Sequence, residues 1–177
     1  MKSIITKEKK ATIVEEMVQL VTFRVGTEEY GLDINYITEV VRPHKITTLP
    51  RMPQFIEGVI NLRGTIIPIV DLRKRFGLTE VRDDLRKMRM LITKGAIPAS
   101  PGDRQELLGL MVDVVKEVIH MPKKDIEPAP EAATGTQADF IRGMGKVGER
   151  LIILLDIARI LNQQERSALA EAEHVAS

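Results

Sequence analysis

The sequence predicts a mainly β protein made of two similar modules of about five strands each, packed together and followed by a C-terminal helix. Three observations lead to this prediction. Short apolar segments with strand composition alternate with turns that contain glycine and proline. The two halves of the chain resemble each other at two constant offsets. The last stretch, from about Asp156 to Glu173, consists of good helix formers.

The first half of the chain contains two predicted strand pairs. Residues 1–18 are charged and weakly amphipathic, and we expect them to form a flexible N-terminal tail. The first pair comprises a strand at 20–25, a turn at 26–29 and a return strand at 30–34. The apolar spacing of residues 35–41 fits either a short helix or a bent strand.

Three prolines in residues 42–55 predict an irregular connection to the second strand pair. That pair comprises a strand from residue 56, a turn at 61–64 and a strand at 65–70. Asp71 follows and is expected to cap a short helix that ends at Gly77.

The second half repeats this alternation with longer connections. Its predicted elements are a strand at 88–93, a long loop at 94–106, a strand at 107–114, a connection at 122–139 and a strand pair over 140–155.

The internal repeat is the strongest signal of organisation. Residues 30–41 align with 108–119 at an offset of 78, which places Glu39 on Glu117 and a glycine on a glycine. Residues 56–72 align with 141–157 at an offset of 85, which places one aspartate on another. Modules this small are expected to pack into one pseudo-two-fold body, with a groove for a partner where they meet.

Two aspartates occupy equivalent places in the two repeats. Asp71 and Asp156 each follow a predicted strand. Residues repeated by duplication are usually structural, so we interpret both as strand-end or helix-cap residues.

Composition and charge argue against a nucleic-acid partner. The chain has 177 residues, 44% of them hydrophobic but only 3% aromatic, so Val, Ile, Leu and Met must supply most of the core. The 26 Lys and Arg nearly balance the 25 Asp and Glu. We therefore expect no nucleic-acid partner, because phosphate binding requires a basic face.

The chain has no cysteine, which excludes disulfides and thiolate chemistry and suits a reducing cytoplasm. The N-terminus lacks the apolar segment of a signal peptide. No apolar run reaches the roughly 18 residues of a membrane span. We expect a cytoplasmic protein without direct membrane insertion.

Motifs that carry chemistry are missing from the sequence. The three histidines, His44, His120 and His174, lie far apart, in predicted connections or a tail, and show no metal-ligand spacing. Neither a serine nucleophile elbow nor a glycine-rich phosphate loop occurs. We expect no enzyme, no metal and no cofactor.

One string carries a specific resemblance to a known family. Residues 58–72 read Gly-Val-Ile-Asn-Leu-Arg-Gly-Thr-Ile-Ile-Pro-Ile-Val-Asp-Leu. With the segment 29–34, Glu-Tyr-Gly-Leu-Asp-Ile, this string closely resembles the CheW family of chemotaxis coupling proteins. The resemblance extends over roughly residues 19–165.

The resemblance implies a fold of two pseudo-symmetric Src-homology-3-like five-stranded β barrels packed on a hydrophobic seam, plus the C-terminal helix. The CheW-like domain would span 19–165, with strand exchange between its barrels left open. The implied parts are a first barrel at about 31–86, a second barrel at about 19–30 and 87–155, and a C-terminal helix and tail at 156–177.

The resemblance also implies function. Such a protein is an adaptor that couples transmembrane chemoreceptors (methyl-accepting chemotaxis proteins) to the histidine kinase CheA in the signalling array. Its partners would be the regulatory domain of CheA and the cytoplasmic tip of the receptors, which would recruit it to the inner face of the membrane.

Ten positions match family residues implicated in receptor or kinase binding. Among them Glu39 and Arg63 match an acid–arginine pair beside the receptor-binding groove, which either orients the local backbone or contacts the receptor. The glycines in the set are equally explained by turn geometry. The full set is Ile37, Glu39, Val40, Gly58, Asn61, Leu62, Arg63, Gly64, Val115 and Val118.

Alternative functions stay open at this point. CheW-like modules also occur inside CheA and, fused to a receiver domain, in CheV. The chain ends about twelve residues after the module, so we expect a stand-alone adaptor. A small-molecule sensor or enzyme that uses the seam as a pocket is one rival. An adaptor for a non-flagellar pathway, such as twitching motility, is another.

Overall fold

A computed structural model describes residues 15–78, 84–97, 106–129 and 139–176 of the chain. Most of the predicted N-terminal tail and parts of the 94–106 loop and the 122–139 connection lie outside these ranges. The strands are β1 Met17–Val25, β2 Glu28–Asp33, β3 Ile37–Val41, β4 Ile56–Leu62, β5 Thr65–Asp71, β6 Arg89–Lys94, β7 Leu107–Val112, β8 Val114–Pro122, β9 Ile126–Glu127, β10 Ile141–Val147 and β11 Arg150–Leu155. The helices are Leu72–Arg75 and Gln163–Ala176, with 3₁₀ turns at Ile34–Tyr36, Lys123–Asp125 and Ile157–Arg159.

The strands within the described residues form two sheets. One has six strands in the order β8-β1-β2-β11-β10-β9, and the other has five in the order β3-β6-β7-β5-β4. The predicted mainly β class with two sheets and a C-terminal helix is confirmed. The assignment of about 31–86 to a first barrel and of about 19–30 and 87–155 to a second stays a prediction. In the structure, β6 and β7 pair in the sheet that contains β3, β4 and β5.

The expectation of two closed five-stranded barrels needs a correction. Within the described residues neither sheet is closed by hydrogen bonds, and one sheet has six strands. β9 is only two residues long and is followed by Pro128, which has no N–H to continue a ladder. In the other sheet the proline-containing 42–55 connection separates the edge strands, and a single bridge joins Thr47 to Val59.

The two repeats exchange a pair of strands. Gly31 of β2 lies opposite Leu154 of β11 in a parallel pair, and the equivalent Gly109 of β7 lies opposite Ile69 of β5. A Cβ atom on Gly31 would lie 3.0 Å from the Ile152 side chain, so the close strand approach favours glycine. Each sheet therefore contains a strand pair from the other repeat, β1 and β2 in the six-stranded sheet and β6 and β7 in the five-stranded one.

A second pair of equivalent glycines lies at register shifts. The pairing of β4 with β5 shifts at Gly58, and the pairing of β10 with β11 shifts at Gly143. A Cβ on Gly58, which has φ +143°, would overlap the carbonyl of Thr47. A Cβ on Gly143 would lie 2.6 Å from the carbonyl oxygen of Glu127. Both glycines therefore permit a close backbone approach.

The repeated aspartates have the predicted structural role. Asp71 donates its backbone N–H to the carbonyl of Phe55 at 2.8 Å, and Asp156 does the same to Phe140 at 2.7 Å. Each carboxylate also accepts a hydrogen bond from the backbone N–H two residues later, at 2.9 and 3.1 Å. These contacts close each strand pair and cap the turn that follows.

The C-terminal helix begins at Gln163, later than the predicted start near Asp156. Asp156 instead caps a 3₁₀ turn. Asn162 accepts a hydrogen bond from the Glu165 N–H, and the Glu165 carboxylate accepts one from the Asn162 N–H, both at 2.8 Å. This reciprocal capping box fixes the start of the helix.

In the described part of the chain, three buried apolar clusters make up the core. One lies inside the curved five-stranded sheet, and another lies inside the six-stranded sheet. The third, here called the seam cluster, contains residues of both sheets and most of the aromatic side chains. Its rings stack in a row with centroid separations of 6.1, 4.8 and 5.0 Å, formed by Phe23, Tyr30, Phe76 and Phe140.

A buried ion pair joins the short helix to the second repeat. The Arg73 guanidinium donates to both carboxylate oxygens of Asp113 at 2.8–2.9 Å, and their side chains are only 10% and 7% exposed. Asp113 also accepts a hydrogen bond from the Gly26 N–H at 2.8 Å and donates its own N–H to the carbonyl of Arg24. The pair therefore ties the first hairpin to the junction of β7 and β8.

Candidate docking site

The strand β3 forms one edge of the five-stranded sheet. Asp33 caps the 3₁₀ turn before it by accepting a hydrogen bond from the Asn35 N–H at 2.9 Å. The sequence left a short helix and a bent strand open for this segment, and the structure contains both in succession. β3 pairs with β6 on one side, with a register shift between Ile37 and Glu39.

Glu39 and Arg63 form an ion pair between the two opposite edges of this sheet, β3 and the hairpin of β4 and β5. Glu39 comes from β3, whereas Arg63 comes from the tip of the hairpin of β4 and β5. The Arg63 side chain is 68% exposed, so part of the guanidinium is accessible to a partner. The acid–arginine pair implied by the family resemblance thus exists as a contact in this chain.

The hairpin tip that carries Arg63 is rigid. Arg63 and Gly64 have φ angles of +50° and +86°, and Leu62 pairs with Thr65 on either side. Two central residues with positive φ define a type I′ turn, whose twist matches that of the strands. The Asn61 side chain accepts a hydrogen bond from the Gly64 N–H at 2.8 Å. These contacts fix the position from which Arg63 reaches Glu39.

The apolar residues of β3 differ in exposure. Ile37 is half-buried and packs against the seam cluster. Val40 is 43% exposed, and Ile66 on β5 and Tyr36 before β3 are exposed as well. Exposed large apolar side chains at a sheet edge are typical of surfaces that bind other proteins.

Two of the ten candidate positions are buried and shape the site from within. Leu62 belongs to the core cluster of the five-stranded sheet. Gly58 lies at the register shift beside the Thr47 carbonyl. Neither presents a side chain to a partner, so their geometry supports the surface that other residues form.

The remaining candidates, Val115 and Val118, lie on β8 at the edge of the six-stranded sheet. They occupy the places in the second repeat that Ile37 and Val40 occupy in the first. Val115 is half-buried against the seam cluster, as Ile37 is, and Val118 is 47% exposed. The candidate residues therefore form two equivalent groups on different sheets.

Sequence reasoning missed an ionic cluster near β8. Arg150 at the start of β11 donates to Glu117 on β8 at 2.6 Å and to Glu29 on β2 at 3.1 Å. The hydrogen bond from Arg150 lowers the pKa of the Glu29 carboxyl, while burial opposes this shift. The only signal in the sequence was the alignment of Glu117 with Glu39.

Groups with catalytic potential are dispersed. His44 lies in the 42–55 connection. His120 lies in β8, which pairs with β1 through Pro122 and which the sequence did not predict as a strand separate from the one at 107–114. Among the residues that the structure describes, no three His, Asp or Glu side chains come together as a metal site. Apolar side chains of both sheets fill the centre of the seam, where a small-molecule pocket had been left open.

No helix in the described part of the chain is long and apolar enough to cross a bilayer.

Comparison with known proteins decides the family. The family model of the CheW-like domain matches residues 19–165, which is most of the chain. The chain belongs to the CheW-like domain family. The resemblance noted in the sequence is thereby confirmed over the range where it was expected.

Individual CheW-like relatives cover most of this chain and most of their own length. The chemotaxis protein CheW of Klebsiella aerogenes is 35% identical over 147 residues, which cover 83% of both chains. The chemotaxis protein CheW of Treponema pallidum is 34% identical over 156 residues, covering 88% of this chain and 89% of the relative.

A solved structure supports the fold. The crystal structure of the scaffolding protein TtCheW from Thermoanaerobacter tengcongensis matches with a TM-score of 0.73 and 36% sequence identity. The match covers 86% of this chain and 93% of that one. This CheW-like chain is a non-enzymatic chemotaxis scaffold or adaptor.

Proposed function

We propose that this chain couples transmembrane chemoreceptors to the histidine kinase CheA in the signalling array. The observation that carries the proposal is the Glu39–Arg63 pair, which is held on a rigid turn beside the exposed Val40. A sheet edge with one fixed charge pair and exposed apolar side chains suits docking to another protein. A scaffold role in chemotaxis requires such a surface.

The proposed partners are the regulatory domain of CheA and the cytoplasmic tip of the chemoreceptors. The two groups of candidate residues, on β3 and on β8, lie on different sheets. Two separate edges would allow two partners to bind at once. The chain would act in the cytoplasm and reach the inner face of the membrane through the receptors.

The exposure of the Glu39–Arg63 pair favours a role in docking over a role in stability. An exposed ion pair contributes about 0–1 kcal/mol to folding. Glu39 would orient the Arg63 guanidinium, whose remaining N–H groups face solvent and would donate to a carboxylate or carbonyl of the partner. Orientation and contact are then two parts of one mechanism.

Arg63→Ala tests the proposal. We expect weaker binding to a receptor-tip fragment, by about tenfold, which corresponds to the loss of one charge-assisted hydrogen bond. The melting temperature should stay within about 2 °C, because the lost ion pair is exposed. Isothermal titration calorimetry with the receptor tip and with the CheA regulatory domain measures both affinities, each expected near micromolar, about −8 kcal/mol.

Arg86→Ala is the matched control. Arg86 also pairs with a neighbouring carboxylate, that of Asp84, but its side chain is 92% exposed and lies outside the candidate positions. Unchanged binding of a well-folded Arg63→Ala variant to both fragments would remove Arg63 from the docking site.

A further inference from the structure

The cluster of Arg150 with Glu29 and Glu117 extends across adjacent strands of the six-stranded sheet. Its three side chains come from β11, β2 and β8, with β1 lying between β2 and β8. Arg150 contacts Glu29 through two nitrogen atoms and reaches Glu117 with a third. One guanidinium therefore connects the edge strand β8 to the centre of the sheet.

The cluster repeats the arrangement at the other docking edge. Glu117 and Glu39 are equivalent in the internal repeat, and each lies on an edge strand. Each pairs with an arginine at a hairpin, since Arg63 occupies the turn of one hairpin and Arg150 follows the turn of the other. The difference is Glu29, which gives Arg150 a second acidic partner.

Glu117 lies where β8 is least regular. The pairing of β1 with β8 shifts register between Val21 and Phe23. At this bulge the Thr22 hydroxyl donates to the Glu117 carbonyl at 2.9 Å and accepts from the Glu117 N–H at 3.2 Å. A side-chain hydroxyl thus replaces regular ladder contacts, so the strand needs a further restraint here.

Arg150 is well suited to provide that restraint. The Glu29 side chain is largely buried and holds the guanidinium in place. Hydrogen bonds to Glu29, and to a smaller extent to Glu117, raise the pKa of Arg150. The guanidinium contacts Glu117, which lies between the two apolar candidates Val115 and Val118 along β8.

We propose that Arg150 is a positioning residue that fixes the bulged segment of β8, and with it Val115 and Val118, in a conformation competent to dock a partner. Glu29 anchors Arg150, and Arg150 orients Glu117. The inference rests on the proposed function, because it assumes that β8 is one of the docking edges.

Glu117→Gln is the decisive variant. It removes the charge that Arg150 holds but leaves the Arg150–Glu29 contact in place. We expect binding to the receptor tip or to the CheA regulatory domain to weaken about five- to tenfold. The melting temperature should change by less than about 2 °C, because the Glu117 side chain is half exposed.

Arg150→Gln should weaken partner binding at least as much as Glu117→Gln does. The double variant Arg150→Gln, Glu117→Gln should bind no more weakly than Arg150→Gln alone, because the two residues act as one unit. Hydrogen exchange of the β8 amides should rise in both single variants. Arg86→Gln makes the same charge change at a remote exposed site and should leave both affinities unchanged.

Val118→Lys distinguishes a failure of the inference about Arg150 from a failure of the proposal that β8 is a docking edge. If Val118→Lys abolishes binding while Glu117→Gln leaves both affinities unchanged, Arg150 has no positioning role and the inference is wrong. If Val118→Lys also binds both fragments normally, β8 is not a docking edge, and that part of the proposed function is wrong.

Discussion

Phe55 and Phe140 occupy equivalent places in the two repeats, and both rings contact one cation, the guanidinium of Arg75. Its central carbon is 4.6 Å from the Phe55 ring centroid and 5.4 Å from that of Phe140. Arg75 also donates to the carbonyl of Ile160 at 2.9 Å and lies 3.6 Å from Glu165. A single side chain therefore joins both repeats to the C-terminal helix.

Replacement of Arg75 by alanine should lower the free energy of unfolding by about 2 kcal/mol, from two cation–π contacts and a hydrogen bond to a carbonyl. Arg75→Lys should recover only part of this loss, because an ammonium lacks the planar surface with which a guanidinium stacks on aromatic rings. Urea unfolding measures both values. A loss no larger than that of the exposed Arg86→Ala would contradict this role of Arg75.

Gly58→Ala should be far more damaging than Gly148→Ala. Gly148 has φ +62° and open space where a Cβ would lie, so only backbone strain, about 1 kcal/mol, is expected. Gly58 has φ +143°, and an added Cβ would overlap the Thr47 carbonyl. We therefore expect Gly58→Ala to lower the free energy of unfolding by about 3 kcal/mol or more. Thermal unfolding of both variants makes the comparison. Equal losses would show that the close approach at Gly58 is unimportant.

The result for Gly58 also bears on docking. A substitution that unfolds part of the five-stranded sheet weakens partner binding without any contact to the partner. We therefore expect the affinity of Gly58→Ala to recover when the variant is assayed at a temperature where it is fully folded.

Removal of Asp113 should be strongly destabilising. Asp113→Ala leaves the largely buried Arg73 guanidinium without a carboxylate that it contacts and the Gly26 N–H without its acceptor. Breaking a buried pair from one side costs about 3–5 kcal/mol. Chemical unfolding measures this loss, and the double variant Arg73→Met, Asp113→Ala should recover part of it. A loss below about 1 kcal/mol would mean that the pair is not a structural tie.

The lowered pKa of Glu29 predicts how the stability of the fold depends on pH. Its folded pKa lies below the usual 4.5, mainly because of the hydrogen bond from Arg150. This contribution to stability is therefore present above about pH 4.5 and is lost as pH falls through the lower folded pKa. The difference in unfolding free energy between the parent and Glu29→Gln should be largest near neutral pH and shrink in acid.

Glu28→Gln, which changes the neighbouring exposed carboxylate, controls for net charge in that comparison. A stability difference for Glu29→Gln that does not change between neutral pH and strong acid would show that its ionised form contributes nothing to the fold.

Local patterns in the sequence were sufficient for most strands. Turn residues and apolar alternation predicted the hairpins, and the repeat placed Asp71 and Asp156 in equivalent structural roles. The start of the C-terminal helix was wrong because helix propensity alone ignored the capping box at Asn162 and Glu165. Helix composition sets where a helix can form, whereas the cap determines where it begins.

Contacts between residues far apart in the chain could not be predicted from the sequence. The offset of 78 aligned Gly31 with Gly109, but it did not show that each glycine faces a strand of the other repeat. For the same reason Arg150 went unnoticed, because its two carboxylate partners are 121 and 33 residues away. The family resemblance supplied Glu39 and Arg63, whose contact likewise joins separate elements.

Bridging is the most direct test of the central claim. Receptor-tip fragments immobilised on beads are mixed with the CheA regulatory domain in the presence and absence of this chain, and the retained kinase domain is quantified. We predict that the beads retain the kinase domain well above background only when the chain is present. Binding of the chain to each fragment alone without simultaneous retention of both, or binding to neither, would contradict the account.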